Sequence, residues 1–283
     1  MKSYLRWAGI LLGGLLLFGM LVVFVLLQGW HIKKYEPHQL AGFLQSSFRI
    51  QFPTQRGPYP TVIGFHGCGG MDLGAIEWME YLTSRGYATV LVDSYTSRDL
   101  TKEQVCNGRA LWGSERAGDV LAAIDAVRQL PLVDSDRLIL LGWSHGAWAI
   151  MDALAFDPPH RLPTNLRSSP PEPFAGVNGI ALFYPYCGFP AEARGQGWNS
   201  QIPVLMLLAG QDSIVPTNDC IDITTALRTN GRPITTHMYE DADHAFDMNE
   251  EDLADSHLVR RPQLIADAQK RLEQFFSAVL SEQ

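Results

Sequence analysis

The sequence predicts an α/β protein whose doubly wound, mainly parallel sheet is preceded by one transmembrane helix. A chain of 283 residues is long enough for one large α/β domain or two small domains, and its 46% apolar and 18% charged residues are ordinary for a globular protein. Short β-rich runs alternate with amphipathic helical patterns, which is the order of elements in a parallel sheet covered by helices. A long apolar run stands before them.

That apolar run, Trp7 to Leu27, holds 21 residues without a charged or strongly polar side chain. At 1.5 Å per residue such a helix spans about 30 Å, the thickness of a bilayer core. A cleaved signal peptide is the alternative, but its apolar core is usually about 7–15 residues long and ends in a small-residue cleavage site. Residues 26–30 offer no such site. We therefore expect an uncleaved anchor and linker over residues 1–35.

The flanking charges indicate the orientation of this anchor only weakly. Lys2 and Arg6 precede it, and Lys33 and Lys34 follow it, so the positive-inside bias is slight. A short N-terminal tail before a large domain favours a cytoplasmic N-terminus. The domain over residues 36–283 is then expected outside the cytoplasm, in the periplasm of a Gram-negative bacterium. Secretion after signal cleavage is the alternative.

Seven runs are predicted to be strands. Most are apolar throughout, as expected for parallel strands covered on both faces. They are 48–52, 61–66, 88–93, 138–143, 179–184, 204–209 and 234–239.

Helical patterns separate these runs. One begins near Ser114 and carries an apolar stripe toward Leu130. Another is capped near Thr217, and a last amphipathic helix starts at Pro262.

One segment, residues 157–174, contains six prolines and is too proline-rich for a helix or a central strand. It follows the helix after Ser144, where open sheets tolerate insertions near the ligand-binding edge. We consider two interpretations, a lid or rim loop and a stiff surface connector.

Charge argues against nucleic acid as a partner. Residues 1–35 hold 4 of the 22 Lys and Arg and none of the 30 acids, so 18 basic and 30 acidic residues remain, a net charge of −12. Such a domain repels phosphate backbones.

The four cysteines are Cys68, Cys106, Cys187 and Cys220. None forms a C-x-x-C pair, which argues against a structural zinc site. An even count outside the cytoplasm permits one or two disulfides in any of three pairings. The alternative is that some of these cysteines are free and act as small, buried apolar residues.

The pentapeptide Gly142-Trp143-Ser144-His145-Gly146 joins a predicted strand to a predicted helix. Strand, G-x-S-x-G and helix in this order are typical of a nucleophile elbow, in which a tight turn pushes the serine hydroxyl out of the sheet edge. An incidental serine in a glycine-rich turn is the alternative. The context favours Ser144 as a nucleophile.

A serine nucleophile needs a base and an orienting carboxylate, which follow it in the order Ser, Asp, His in this type of sheet. His244 lies in the loop directly after the last predicted strand, and Asp212 lies in the loop after the strand 204–209. We therefore predict a triad of Ser144, Asp212 and His244. Asp93, which precedes the serine, is the reserve acid, and Asp243 is interpreted as a turn-making, solvated residue.

Backbone N–H donors are needed for the oxyanion that develops during acyl transfer. One is expected from His145, the residue after the nucleophile. The other is expected from Cys68, with Gly69 as the alternative, in the glycine-rich loop after the strand 61–66. A thiol nucleophile at Cys68 is a rival that the absence of an elbow there disfavours.

These motifs together resemble the dienelactone hydrolase family of α/β-hydrolases. The resemblance is carried by Phe65–Gly70, Asp93-Ser94-Tyr95 with Arg98, Gly142–Gly146, Ala209–Asp212 and Asp243–Phe246. It spans the chain from about residue 48 to the C-terminal helix and implies an α/β-hydrolase fold. The founding members carry cysteine where this chain has Ser144, so a dienelactone substrate is not implied.

We therefore predict a serine hydrolase that cleaves a small-molecule carboxylic ester or lactone without a metal or organic cofactor. A peptidase-like hydrolase and a non-catalytic, membrane-tethered binding module are the alternatives. The oligomeric state stays open, and no substrate-binding residue is assigned. Some aromatic residues near the strand ends could line an acyl pocket: Trp143, Trp148, Tyr184, Tyr186, Phe189 and Trp198.

Overall fold

A computed structural model describes residues 2–27, 32–158 and 160–281, without the side chains of residues 2–6, 8, 26, 27, 195 and 196. The start of the predicted linker, residues 30 and 31, and Pro159 of the proline-rich segment lie outside the described residues. The strands are β1 Arg49–Gln51, β2 Tyr59–Phe65, β3 Ala88–Val92, β4 Val133–Trp143, β5 Val177–Phe183, β6 Val204–Ala209 and β7 Ile234–Tyr239. The helices are α1 Lys2–Leu27, α2 Pro37–Gln45, α3 Leu73–Ser84, α4 Lys102–Cys106, α5 Gly113–Arg128, α6 His145–Phe156, α7 Glu192–Gln196, α8 Thr217–Thr229, α9 Glu250–Leu253 and α10 Pro262–Ser281.

The strands form one sheet in the order β1-β3-β2-β4-β5-β6-β7. Every neighbouring pair is parallel except β1 with β3. The prediction of a mainly parallel sheet is therefore confirmed. β3 and β6 are buried at every position, because helices cover both faces of the sheet and exclude water from both sets of side chains.

Strand β4 begins at Val133, five residues before the predicted start at Leu138. The added segment, residues 134–137, is Asp-Ser-Asp-Arg and lies partly or fully exposed at the end of the sheet. Its backbone continues the strand, and Val133 pairs with Tyr59 of β2. The hydrophobic pattern of the sequence could not predict this extension, because these four residues offer no apolar face.

Two apolar clusters lie on opposite faces of the sheet. One contains buried side chains of α2, α5 and α6. The other contains those of α3 and α10. Burial on both faces confirms the doubly wound arrangement.

The direction of winding reverses between β2 and β4, because β3 lies on one side of β2 and β4 on the other. Loops that leave the carboxyl ends of two such strands diverge and open a crevice, which is where ligands bind in open α/β sheets. The loop after β2 holds Cys68, and the turn after β4 holds Ser144. The sheet topology thus brings these two predicted site residues to one crevice.

The predicted anchor lies on α1. Among the described parts of the chain, none of the helices combines the length and the apolarity that a membrane crossing requires. The transmembrane prediction is therefore not supported by the structure.

The proline-rich segment 157–174 packs against α5 and the residues that precede α2. The backbone N–H of Thr164 donates to the Ser114 carbonyl, and Leu166 forms a parallel bridge with Tyr35. No described residue of this segment lines the cavity beside Ser144.

Two disulfides are present, Cys68–Cys106 and Cys187–Cys220. The first joins the loop after β2 to α4. The second joins the loop after β5 to α8. Both therefore tie loops at the carboxyl edge of the sheet to neighbouring helices.

Candidate active site

Ser144 occupies a strained turn at the end of β4. Its backbone has φ 47° and ψ −110°, a region that non-glycine residues rarely adopt and that is found mainly at functional sites. Gly146 makes the turn possible, because a Cβ there would lie 2.0 Å from the carbonyl oxygen of Phe65. The nucleophile-elbow geometry expected from the sequence is present.

The side chains of Ser144, His244 and Asp212 form a continuous hydrogen-bonded chain. His244 Nε2 lies 2.9 Å from Ser144 Oγ, and His244 Nδ1 lies 2.7 Å from Asp212 Oδ2. An ionised carboxylate only accepts hydrogen bonds, so Nδ1 carries the proton and Nε2 is free to accept from the serine hydroxyl. The side chains of His244 and Asp212 are only 7% and 1% exposed. Their hydrogen bonds are therefore shielded from water.

The second oxygen of Asp212 fixes its own loop. Oδ1 accepts the backbone N–H of Ile214 at 3.0 Å and that of Val215 at 2.8 Å. The carboxylate is therefore held from one side by its loop while the other oxygen faces His244. This explains how a loop residue keeps a defined orientation.

Asp243 links the acid loop to the histidine loop, a role that sequence reasoning missed. Its Oδ1 accepts the backbone N–H groups of Ser213 and His244, each at 2.7 Å, and its Oδ2 accepts the Ser213 hydroxyl at 2.9 Å. These donors lower the pKa of Asp243 against the opposing effect of burial. The interpretation of Asp243 as a solvated turn residue is incomplete, because its carboxylate joins the two loops that carry the histidine and the acid.

The reserve acid Asp93 and two other histidines that follow Ser144 in the chain, His160 and His237, occupy other environments. The Asp93 carboxylate accepts the backbone N–H groups of Tyr95 and Thr96 and caps their turn. His237 lies 3.8 Å from Asp267. His160 is exposed in the proline-rich segment. None of these residues reaches the hydrogen-bonded chain at Ser144.

Cys68 and His145 both line the cavity that contains Ser144. Within the described residues, the backbone N–H groups of these two residues donate to no acceptor. They are thus available to a ligand, as an oxyanion hole requires. The Cys68 sulfur is bonded to Cys106, so a thiolate nucleophile at this position is not available.

Asp247 is a buried acceptor behind the histidine that the sequence analysis did not identify. It accepts the indole N–H groups of Trp78 at 2.8 Å and Trp143 at 3.1 Å, and the Tyr184 hydroxyl at 2.5 Å. Burial raises the pKa of Asp247, and these three donors oppose that rise. The Tyr184 ring packs on His244 with centroids 4.6 Å apart, so Asp247 supports the histidine through Tyr184.

The cavity beside Ser144 has a volume of about 370 Å³. Its walls are mainly apolar, and none of its described lining residues is Asp, Glu, Lys or Arg. Of the aromatic residues proposed from the sequence, Trp148 and Tyr186 line it, whereas Trp143 and Tyr184 are buried in the core. The other lining residues that sequence reasoning missed are Val105, Cys106, Asn107, Gly108, Trp112, Pro190, Ile214 and Val215.

A wider depression of about 880 Å³ adjoins this cavity at Trp112 and Pro190. Phe189 lines it, and no triad residue does. In the part of the chain that the structure describes, no group of three or more His, Cys, Asp or Glu side chains is arranged to hold a metal ion.

Comparisons with known protein families support the assignment of the protein as a hydrolase. Residues 169–280, which include Asp212 and His244, match the dienelactone hydrolase family. Residues 76–161, which include Ser144, match the prolyl oligopeptidase family. These matches support a serine hydrolase of the dienelactone hydrolase or esterase type. The second match also relates part of the chain to a family of peptidases.

Two curated relatives are peptidases. Dipeptidyl aminopeptidase BIII from Pseudoxanthomonas mexicana is 24% identical over 213 residues, which are 67% of this chain and 30% of that protein. The acylamino-acid-releasing enzyme of Arabidopsis thaliana is 21% identical over 196 residues, 62% of this chain and 26% of that protein. The chain thus spans less than a third of the length of these relatives.

Solved structures show the fold. A dienelactone hydrolase-like promiscuous phosphotriesterase from metagenomic libraries superposes with a TM-score of 0.61 at 17% identity, covering 82% of this chain and 92% of that one. A thermophilic esterase of Thermogutta terrifontis, solved with butyrate bound, gives 0.56 at 16% identity, covering 82% and 88%. The protein therefore has an α/β-hydrolase-like fold, as the resemblance implied.

Proposed function

We propose that the protein is a serine hydrolase that cleaves carboxylic esters or lactones through a covalent acyl-enzyme. His244 Nε2 takes the proton of Ser144 as the serine oxygen attacks the carbonyl carbon. The backbone N–H groups of Cys68 and His145 stabilise the oxyanion. Asp212 keeps the proton of His244 on Nδ1 and stabilises the imidazolium that forms.

The leaving alcohol then receives the proton from His244. Water enters, gives a proton to the same nitrogen and attacks the acyl carbon. The bond from the acyl carbon to the serine oxygen then breaks, and His244 returns the proton to that oxygen, which releases the acid and restores Ser144. No step needs a metal or an organic cofactor. The observation that carries the proposal is the hydrogen-bonded chain from Asp212 through His244 to Ser144 at the mouth of a cavity with two free N–H donors.

The cavity favours an uncharged, apolar acyl group. Its volume of about 370 Å³ lies at the low end of the range for small-molecule sites, about 300–1,000 Å³. An anionic acyl group would lose its hydration there without contacting a cation, because no Lys or Arg is among the described residues that line the cavity. Short to medium aliphatic or small aromatic esters fit this environment best.

A peptidase is the second candidate, which the relatives of that class favour. The triad serves amide and ester cleavage alike, so the chemistry alone does not separate the two. The alcohol of an ester leaves more readily than the amine of a peptide, and a peptide also needs a binding cleft for its main chain. We place the ester first because the cavity beside Ser144 is apolar and lacks charged residues that would bind a peptide terminus.

The location outside the cytoplasm and the N-terminal anchor remain proposals. Two disulfides at the active-site edge agree with an oxidising compartment, because cytosolic thiols are kept reduced. Fractionation of cells that express the full chain, with protease added from outside, tests both proposals.

The substrate class can be tested with the purified full-length protein. We expect turnover of p-nitrophenyl esters to peak at short to medium acyl chains and to fall for long chains, with dipeptidyl p-nitroanilides hydrolysed far more slowly. Ser144→Ala is the control for contaminating esterases. Preferential cleavage of the anilides would replace the ester proposal with the peptidase one.

A further inference from the structure

Arg116 on α5 is fully buried, at 0% exposure, directly beneath the two loops that carry the oxyanion donors. Its Nη1 donates to the carbonyl oxygen of His66 at 2.8 Å and lies 3.1 Å from His145 Nδ1. Its Nε donates to Ser94 Oγ at 3.1 Å. One guanidinium therefore contacts the end of β2, the start of α6 and the turn after β3.

The charge of Arg116 is not neutralised by a contacting acid. Among the described residues, no carboxylate forms an ion pair with it, and its Nη2 has no hydrogen-bond acceptor. The neighbouring Arg98 shows the usual arrangement, a bidentate pair with the buried Asp119. Burial lowers the pKa of Arg116, yet a guanidinium stays charged at neutral pH. A buried, unpaired charge is costly to a fold and is expected mainly where function retains it.

On one side, Arg116 fixes the residue that follows the nucleophile. A guanidinium only donates, so His145 Nδ1 accepts the hydrogen bond from Arg116. Burial and the Arg116 charge lower the pKa of His145 well below its usual value, which keeps the ring neutral. The ring thus anchors the residue whose backbone N–H is one oxyanion donor.

On the other side, Arg116 holds the loop that supplies the second donor. Its acceptor, the His66 carbonyl, precedes Gly67, and the His66 ring contacts the Gly67 carbonyl through Nδ1 at 2.7 Å. That carbonyl and the Cys68 N–H belong to one trans peptide and point in opposite directions. The His66 ring therefore fixes the peptide that carries the Cys68 N–H, and Arg116 holds the residue that bears this ring through the His66 carbonyl.

We propose that Arg116 is the positioning residue of the oxyanion hole: it holds the His145 side chain and the His66 carbonyl, and through them the segments that carry both donors, and it gives the hole a fixed positive field. The inference rests on the proposed hydrolase function, because it assigns a role in stabilising that reaction's oxyanion. Donors held before the reaction need no reorganisation as negative charge develops, and they act strongly where water is excluded. Arg116 itself touches no reacting atom.

The test compares Arg116→Met and Arg116→Lys with Arg98→Met, which removes a largely buried arginine that forms hydrogen bonds with Ser94 and Asp119 but not with His66 or His145. For each full-length protein we would measure kcat and KM for p-nitrophenyl butyrate, the rate of labelling by a fluorophosphonate, and the folded fraction from thermal melts. Labelling needs the same hole, because a phosphonyl oxygen occupies it.

We expect Arg116→Met to lower kcat and the labelling rate by about 100-fold, near the loss seen when one oxyanion donor is removed, with KM within about threefold. Arg116→Lys keeps the charge and should recover about tenfold of that loss. Arg98→Met should keep kcat within about threefold per folded molecule.

If Arg116→Met does not fold, Arg116→Lys decides alone, with an expected kcat about tenfold below wild type and an unchanged KM. Two results would overturn this inference without affecting the proposed hydrolase function. One is a wild-type kcat in a folded Arg116 variant. The other is a decrease in kcat per folded molecule in Arg98→Met that equals the decrease in Arg116→Met. A wild type without ester turnover or labelling contradicts the proposed function itself.

Discussion

Two groups of serine, histidine and aspartate lie side by side at the carboxyl edge of the sheet. The inner group is Ser144, His244 and Asp212, and the outer group is Ser213, His257 and Asp243. They share their chemistry, and Asp212 and Ser213 are neighbours in the chain. What separates them is the order in which the atoms are connected and their access to water.

In the inner group the histidine stands between the other two residues and uses a different ring nitrogen for each. In the outer group the serine stands in the middle. Ser213 Oγ donates to Asp243 at 2.9 Å and lies 2.7 Å from His257 Nε2. Its proton is already given to a carboxylate, so the histidine accepts none from it.

Exposure also differs. The His244 and Asp212 side chains are 7% and 1% exposed, whereas those of His257 and Asp243 are 66% and 31% exposed. Water screens the outer charges and weakens their coupling. The comparison teaches that residue types alone do not distinguish the two groups, and that the central, buried histidine of the inner group does. Asp243 belongs to both regions, because it also holds His244 through its backbone.

The largest expected effect is the difference in activity between variants of the two serines, Ser144 and Ser213. Ser144→Ala removes the proposed nucleophile and should lower kcat/KM for esters by at least about 10⁴-fold. Ser213→Ala removes only a link between loops and should stay within about threefold. Steady-state kinetics with p-nitrophenyl butyrate checks both. Equal losses in the two variants would erase the distinction between the groups.

The two aspartates give the next effect. Asp212→Asn would place an amide against His244 Nδ1 and favour the wrong tautomer, so kcat should fall by about 10³–10⁴-fold. Asp243→Asn keeps one acceptor oxygen but loses the charge that joins the loops, and we expect a decrease of about tenfold. Single-turnover rates on a folded sample measure both. A larger loss for Asp243→Asn would move the functional acid to the outer group.

Substitution of Asp247 tests the buried hydrogen bonds that lie behind His244 of the inner group. Asp247→Ala leaves two indole N–H groups and the Tyr184 hydroxyl buried without an acceptor, which should lower the free energy of unfolding by about 3 kcal/mol. Tyr184→Phe removes one donor together with its bond and should cost about 1 kcal/mol. Urea unfolding measures the difference. Unchanged stability in Asp247→Ala would show that the acceptor is dispensable.

The smallest effect concerns Asp72, which caps α3 beside the oxyanion loop. Burial, aided by the nearby Asp252 and Asp247, raises the pKa of Asp72 to about 7, against about 3.9 in an unfolded chain. Between about pH 4 and pH 7 the folded state therefore binds more protons than the unfolded state, and the free energy of unfolding falls as pH rises.

Asp72→Asn cannot ionise and still caps the helix. Its Tm should exceed that of wild type by about 2–4 °C at pH 8 and match it at pH 4. Scanning calorimetry at both pH values checks this, with Asp255→Asn on the exposed surface as the control. The same Tm difference at both pH values would contradict the ionisation argument.

Sequence reasoning reached the sheet and the three inner residues by different routes. The apolar runs locate the strands because a covered parallel strand is buried on both faces. Ser144, Asp212 and His244 then follow from their places after β4, β6 and β7, where the carboxyl ends of parallel strands meet.

The supporting residues had no such signal. Arg116, Asp247 and Asp243 act through contacts across elements, and the disulfide pairing also depends on the folded loops. One clue was available: Arg116 and Asp119 lie on the side of α5 that also carries its apolar stripe. Charged residues on a buried helix face indicate a polar network, although the sequence cannot show its partners.

The most direct test of the inner group as the catalytic one is the site of covalent labelling. The full-length protein would be treated with a fluorophosphonate, digested and mapped by mass spectrometry. We predict one adduct, on the peptide that contains Ser144, at the same yield in Ser213→Ala and absent in Ser144→Ala. An adduct on the peptide that contains Ser213, or an unlabelled wild type, would contradict the central claim.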